Sequence, residues 1–143
     1  MRVGLLCLLA LSGGLAATSA SAASSACDAT TLSGARASVA GTCDCTTATS
    51  HKEYLRCVVG ALKPAVKAKT LTRECAAAVR KCAVKSTCGV SGAETCCETS
   101  ASGTTKCVVK HSATACKAAH GGTACVGTHP SCCDACTTSG CAR

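Results

Sequence analysis

The chain has 143 residues, of which 17 are Cys, and its formal net charge at pH 7 is +8. A cysteine share of about 12 per cent is typical of disulfide scaffolds and of metal-thiolate proteins, and the length limits the chain to one domain or two small ones. Phe and Trp are absent and Tyr54 is the only aromatic residue, which excludes aromatic platforms that stack nucleic-acid bases or sugars.

Residues 1–22 have the pattern of a signal peptide. A basic start and an apolar run over residues 3–11 precede the small-x-small cleavage site Ala20-Ser21-Ala22. The run is too short to cross a bilayer, which needs about 20 apolar residues. Cleavage also removes Cys7 and leaves an even number of cysteines, whereas a lipid anchor on Cys27 would leave an odd number. We therefore expect soluble export, to the periplasm or the medium, rather than a lipoprotein.

The cysteines that remain are expected to pair as disulfides, because the space outside the cytoplasmic membrane is oxidising. Beyond residue 22 the large apolar side chains are only four Leu, ten Val and one Tyr, so cross-links must restrict the unfolded state in place of a large core. Metal-thiolate binding is the alternative, but a second CxxC at zinc-finger distance is absent. We expect no metal and no cofactor. The predicted disulfide cysteines are Cys27, Cys43, Cys45, Cys57, Cys75, Cys82, Cys88, Cys96, Cys97, Cys107, Cys116, Cys125, Cys132, Cys133, Cys136 and Cys141.

The pattern changes near Thr87, so we divide the mature chain into a helical, disulfide-stapled part at 23–87 and a cysteine-rich β/coil part at 88–143. These parts contain six and ten Cys. Both counts are even, which predicts pairing mainly within each part, with three bridges before Thr87 and five after it. The fold class is a small, disulfide-rich α+β protein, with a helical hairpin followed by a cysteine-knotted β/coil module.

Three helices are expected in the first part. A weak, short one covers Leu32–Ala40. The next begins at a capping box of Ser50 and Glu53, with apolar side chains on one face, and Pro64 should kink or break it. The third is capped by Thr70 or Thr72 and places Cys75, Val79 and Cys82 on one face. If the last two helices form an antiparallel hairpin, Cys57 should pair across it with Cys75 or Cys82.

The second part contains one predicted hairpin. Short strands at 94–98 and 104–110 flank the sequence Ser100-Ala101-Ser102-Gly103, in which Gly103 takes the position that needs positive φ. From Cys116 onward glycines interrupt the sequence every few residues. We expect that tail to be coil and turns held by disulfides.

Several short segments of the mature chain resemble one family. The resemblance is to an uncharacterised family of small cysteine-rich secreted bacterial proteins, which implies a single exported unit and, since the family has no established activity, carries over no catalytic residue. The segments are Cys43-Asp44-Cys45, His51-Lys52-Glu53-Tyr54-Leu55-Arg56-Cys57-Val58, Lys85-Ser86-Thr87-Cys88-Gly89, Thr95-Cys96-Cys97, Lys106-Cys107 and Ser131-Cys132-Cys133-Asp134-Ala135-Cys136.

The sequence contains few residues that could form a catalytic site. A Cys-His nucleophile needs a free thiolate, but the mature cysteine count is even and the four His residues lie in no known motif. Cys133-x-x-Cys136 has the spacing of a redox pair without the strand-helix context of one. The seven Asp and Glu residues form no recognisable acid-base pair. We therefore expect no catalytic residues and no enzyme.

The positive charge is concentrated in the helices. Residues 27–87 contain ten Lys or Arg against four Asp or Glu, whereas residues 88–143 contain four against three. On the second helix Lys52, Arg56, Lys63 and Lys67 fall within about 60° of arc, opposite the apolar face. One interpretation is a solvated outer face. The other is an anion-binding stripe.

The sequence thus predicts an exported, disulfide-stabilised binding or structural protein. Its partner would be an anionic envelope polymer, a lipid headgroup or an acidic protein, and neither nucleic-acid binding nor a membrane span is expected. Two alternatives stay open. The first is a secreted metal-thiolate binding protein, and the second is a toxin or protease inhibitor that uses a stapled loop such as 98–106.

Overall fold

A computed structural model describes residues 27–118 and 120–142, so the predicted signal peptide lies outside the described residues. The predicted α+β class is confirmed, with helices in the first part and antiparallel strands in the second. The elements are α1 (Ala29–Thr42), α2 (His51–Lys67), α3 (Arg73–Val84), β1 (Glu94–Thr99), β2 (Thr105–Lys110), a 3₁₀ turn (Ala113–Ala115), β3 (Thr123–Val126), α4 (Cys132–Ala135), β4 (Cys136–Thr137) and β5 (Gly140–Cys141).

Each long helix begins at a side-chain cap. The Asp28 carboxylate accepts from the Thr31 backbone N–H at 2.8 Å and also from the Thr31 hydroxyl, and these hydrogen bonds lower the pKa of Asp28. The first helix is consequently longer than the predicted 32–40. The Ser50 hydroxyl accepts from Glu53 N–H at 3.2 Å, which is half of the predicted capping box. The other half is wrong, since the Glu53 carboxylate accepts from Thr49 instead.

The second helix continues through Pro64 to Lys67, so a break at that proline was wrong. It ends in a Schellman motif, in which Lys69 N–H donates to Val66 O at 3.1 Å and Thr70 N–H donates to Ala65 O at 3.0 Å. Thr72, one of the two predicted caps, then starts α3 by accepting from Cys75 N–H. The link between the Schellman motif and this cap is short, so α2 and α3 form a hairpin, as predicted.

The helical part adds α1 to this hairpin, and the three expected helices all pack against one another. Val58 on α2 is completely buried, and Val79 on α3 and Val39 on α1 are 3 % and 5 % exposed. The disulfide Cys27–Cys75 joins the start of α1 to α3. Because that bond uses the Cys27 sulfur, a lipid anchor on Cys27 does not fit this fold.

In the second part, β1 is the central strand of a three-stranded antiparallel sheet in the order β2-β1-β3. The predicted hairpin of β1 and β2 is confirmed, with Gly103 at φ +81° in its turn. The prediction that everything after Cys116 is coil was wrong. Residues 123–126 form β3, and residues 132–141 form α4 and the β4-β5 ribbon. Periodicity failed there because four- and two-residue elements are too short to show it.

All sixteen cysteines from Cys27 to Cys141 are in disulfides, and they pair mainly within the two parts as predicted, but the predicted counts of three and five bridges were wrong. Two bridges lie within the helical part, four within the β/coil part, and two join the parts. Cys57 pairs with Cys43 at the end of α1, at a Cα–Cα distance of 5.8 Å, and not with α3. The bridges are Cys27–Cys75, Cys43–Cys57, Cys45–Cys88, Cys82–Cys133, Cys96–Cys116, Cys97–Cys136, Cys107–Cys132 and Cys125–Cys141.

The junction between the two parts is held by more than its two disulfides. Cys132 N–H donates to Lys85 O at 2.9 Å, and Thr87 N–H donates to Pro130 O at 2.8 Å. An ion pair links Arg36 on α1 to Asp134 on α4. These contacts therefore fix the helical part against the β/coil part.

Candidate functional site

The predicted anion-binding stripe lies on the outer surface of α2. Lys52, Arg56, Lys63 and Lys67 are all exposed. At 1.5 Å of rise per residue they extend over about 22 Å of one helix. Val59 lies among them and is 43 % exposed, so the stripe combines cations with an apolar side chain.

A groove runs between α2 and α3 beside this stripe, with a volume of about 820 Å³. The α2 side contributes Lys63 and Lys67 of the stripe. We call this cleft the α2–α3 groove. The residues that line it are Val59, Leu62, Lys63, Val66, Lys67, Lys69, Leu71, Thr72, Arg73, Ala76, Ala77 and Arg80. Five of these twelve are Lys or Arg and none is Asp or Glu, so the groove is strongly electropositive.

The other half of the stripe borders a shallower depression. His51, Lys52, Leu55, Arg56 and Val59 line it. Val59 is shared by the depression and the α2–α3 groove. The structure therefore brings Lys63 and Lys67 to the groove, while Lys52 and Arg56 lie further along the same helix face.

The groove cations are not neutralised within the described part of the chain. The ion pairs there are Arg36–Asp134 and Lys110–Glu98, which involve neither α2 nor α3. The acidic residues closest to the groove cations in the sequence are Glu53 and Glu74, and neither lines the groove. A cluster of like charges without counter-charges attracts anions, because each cation adds to the same local potential.

Sequence reasoning missed Lys69 and did not join Arg73 and Arg80 to the stripe. Helical periodicity treats one helix at a time, so it does not show which faces of two helices meet. Lys69 also lies outside both helices, at the C′ position of the Schellman motif with φ +59°. Glycine normally occupies that position, because a Cβ is disfavoured at positive φ. That Lys69 adopts this conformation and lies at the rim of the groove is evident only from the structure.

The predicted disulfide cysteines form their own centre in the β/coil part. Cys97 on β1 is directly opposite Cys107 on β2 and Cys125 on β3. Residues opposite each other across a sheet share a face, so these three sulfurs project to one side, where the tail supplies their partners Cys136, Cys132 and Cys141.

This centre contains two sets of three cysteines. Within each set the sulfurs lie within 4.8 Å of one another, which is a spacing that metal ligands can have. One set is Cys97, Cys125 and Cys141, and the other is Cys97, Cys107 and Cys136. Every one of these sulfurs is in a disulfide, and metal binding needs thiolates. The arrangement thus accommodates a metal only after reduction.

The remaining sequence candidates are scattered. Cys133 and Cys136 belong to different disulfides, so they form no redox pair with each other. His51 Nδ1 lies 3.0 Å from the Cys88 carbonyl oxygen and donates to it, which fixes the start of α2 against the junction. The segment considered for an inhibitor, 98–106, consists of the exposed turn at residues 100–104 and the ends of β1 and β2 beside it.

A second concavity lies at the junction and differs from the groove in charge, because Asp44 and Asp134 line it together with Tyr54 and a single basic residue, Arg36. Burial raises the pKa of the Tyr54 phenol above its ordinary value of 10, and the nearby Arg36 guanidinium acts in the opposite direction. Arg36 is itself paired with Asp134. Because its one basic residue already has an acidic partner, this concavity has the contacts of a structural joint.

No protein-family model, curated protein or solved structure matches this chain. Among residues 27–118 and 120–142, no helix combines the length and the hydropathy that a membrane span requires.

Proposed function

We propose that this chain is an exported, disulfide-stabilised binding protein whose basic helical face docks on an anionic partner of the cell envelope. The observation that supports it best is the set of five Lys and Arg side chains that line one groove with no acidic residue among them. Lys52 and Arg56 extend the same positive surface along α2. The ordinary alternative is a solvated face with no partner, which the experiment below distinguishes.

Export is supported by the disulfides. Proteins with as many as eight bridges are typical of oxidising compartments outside the cytoplasmic membrane. A chain that starts near Ala23 and is fully oxidised should have an intact mass about 16 Da below its reduced mass, two hydrogens for each bridge. Retained zinc, or several alkylatable thiols under denaturing conditions, would support the metal-thiolate alternative instead.

The charge arrangement suits a surface better than a single small ion. Near an anionic lipid surface each Lys or Arg contributes about 1 kcal/mol, and the contribution decays within the Debye length. That length falls from about 30 Å at 0.01 M to about 8 Å at physiological ionic strength. At low salt every cation along the helix face is therefore attracted by the surface, whereas at physiological salt only the cations nearest to the surface are. Binding should consequently be steeply salt-dependent.

The test is association with phosphatidylglycerol vesicles and with polyglutamate, measured by sedimentation at low and physiological salt. Lys63→Glu/Lys67→Glu changes the charge of the groove by four units, which at about 1 kcal/mol each predicts a loss of at least a hundredfold at low salt. The matched control is Lys81→Glu/Lys117→Glu, which makes the same net change at two exposed positions outside the groove. Lys67 and Lys81 also each lie in the last turn of a helix, so their effects on the helix dipole are alike.

The proposal is wrong if the wild-type protein binds neither anionic probe in a salt-dependent way. It is equally wrong if both double variants lose binding to the same extent, because the effect then comes from net charge and not from this face. The inhibitor alternative has its own assay, in which the 98–106 hairpin is replaced by a short glycine turn and inhibition of growth or of a protease is measured.

A further inference from the structure

The α2–α3 groove is concave and has an apolar floor. Leu62, Leu71 and Ala76 at its base are 5 %, 7 % and 9 % exposed, whereas Val59 at its edge is 43 % exposed. A flat membrane surface touches what protrudes, and it does not reach side chains that are recessed between two helices. The floor therefore suits a single slender apolar group that enters the cleft.

The rim of the same groove is cationic. Lys63, Lys67, Lys69, Arg73 and Arg80 surround the floor, and no Asp or Glu joins them. A ligand complementary to both features has an apolar chain and a negative head. A polyanion satisfies only the rim, and a neutral hydrocarbon satisfies only the floor.

We propose that this groove binds a single-chain anionic amphiphile of the fatty-acid type, with its acyl chain along the floor and its carboxylate among the rim cations. The inference rests on the proposed function and narrows its anionic partner to a ligand that is taken up one molecule at a time. The volume of about 820 Å³ lies within the range of roughly 300 to 1,000 Å³ that is typical of small-molecule sites.

The geometry of the groove supports this assignment. From Val59 to Lys67 the α2 wall is about 12 Å long at 1.5 Å per residue, which suits a chain of medium length. Lys69, held at φ +59° where glycine is the usual residue, lies at the end of that wall in the turn before α3. Its ammonium group is thus available to a carboxylate at that end of the cleft.

The first experiment is a calorimetric titration of the oxidised protein with laurate, below the micellar concentration and at low salt. Two control ligands separate the two features of the site. Dodecyltrimethylammonium has the same chain with the opposite charge, and butyrate has the same head with almost no chain. We expect one laurate per protein, and binding of either control that is weaker by about tenfold or more. Equal binding of laurate and dodecyltrimethylammonium overturns the proposal.

The second experiment blocks the groove while keeping its charges. Ala77 lines the groove and is exposed, so Ala77→Trp fills the cleft without entering the core. Ala37→Trp is the matched control, the same change at an exposed position of α1 away from the groove. We expect Ala77→Trp to weaken laurate binding by about tenfold or more and Ala37→Trp to leave it unchanged. If Ala77→Trp does not fold, Val59→Glu at a partly exposed groove position should give the same loss by repelling the carboxylate.

The outcomes separate this inference from the proposed function. Vesicle binding that survives Ala77→Trp, with laurate binding lost, supports both. Vesicle binding by a wild-type protein that binds no laurate overturns the groove ligand alone, and laurate binding without any vesicle or polymer binding overturns the surface dock alone. Concentration-dependent self-association that Ala77→Trp abolishes, in a protein that binds no laurate, means that a second copy fills the groove and also overturns the ligand proposal.

Discussion

Gly89 is the residue at which a single methyl group should most disturb the junction between the helical and β/coil parts. It follows Cys88, which is bonded to Cys45, and its φ is +73°. A Cβ at this position would lie 2.6 Å from His51 N and closer still to the Ser50 carbonyl group. These are backbone atoms at the start of α2, so they cannot move aside without disturbing the helix cap. Gly89→Ala therefore combines a conformational cost with a steric one.

The size of the effect follows from these two costs. Positive φ costs a residue with a Cβ about 1–2 kcal/mol, and overpacking against fixed atoms typically costs about 1–3 kcal/mol more. Gly89→Ala should thus lower the free energy of unfolding by about 2–5 kcal/mol. Gly103 provides the control, because its φ is +81° but nothing lies within 4 Å of its Cβ position. Gly103→Ala should cost only the first term, about 1–2 kcal/mol.

The measurement is urea unfolding of the oxidised proteins, followed by circular dichroism and fitted with a common slope. Disulfide mapping of each variant ensures that the same bridges are compared. If Gly89→Ala and Gly103→Ala lower the free energy of unfolding equally, the close approach of Gly89 to the start of α2 does not exist in solution and the described junction is wrong.

Three further predictions concern the helical part. Val58→Ala should lower the free energy of unfolding by about 2 kcal/mol because Val58 is completely buried, and the neighbouring Val59→Ala should change it by less than about 0.5 kcal/mol; similar effects in urea unfolding would contradict the orientation of α2. Lys69→Gly should raise the free energy of unfolding by about 1 kcal/mol by relieving positive φ while weakening binding to anionic vesicles, and unchanged vesicle binding would remove Lys69 from the site. The lowered pKa of Asp28 means that its stabilisation is present above the unfolded-state value and is lost as pH falls through the lower folded-state value. At neutral pH Asp28→Asn should therefore have a lower free energy of unfolding than the wild type, and the difference should shrink as the pH falls. A difference that does not depend on pH would refute the capping role.

Local signals in the sequence were enough to predict the elements that they encode directly. Ser50 and Thr72 mark helix starts through their side chains, and Gly103 marks a turn through its φ. The same kind of reasoning predicted a kink or a break at Pro64, and the break was wrong. A proline removes one hydrogen bond, but α2 continues for one more turn because Ala65 and Val66 pack against the core of the helical part. Tertiary packing therefore overrode a local preference.

Pairings between distant residues could not be predicted in the same way. Which cysteine Cys57 meets depends on the position of α1, and the weak helical pattern around Gly34 did not indicate that α1 extends to Thr42, next to Cys43. The alignment of Cys97 with Cys107 and Cys125 depends on strand register and on β3, and neither was predicted from the sequence. The groove was missed for a similar reason. Its cations come from α2, from the turn at Lys69 and from α3, and only the fold brings these three together.

The most direct test of the central claim is a chemical-shift titration of the isotope-labelled, oxidised protein with laurate at low salt. If the groove is the binding site, the amide signals that move are those of its lining, with Val59, Val66 and Ala77 among them, and the signals of β1 and β2 stay in place. Raising the salt to physiological concentration should reduce the shifts at equal ligand concentration, because the rim cations are then screened. Shifts confined to the β/coil part, or shifts in the groove that persist undiminished at high salt, would contradict an electropositive ligand site between α2 and α3.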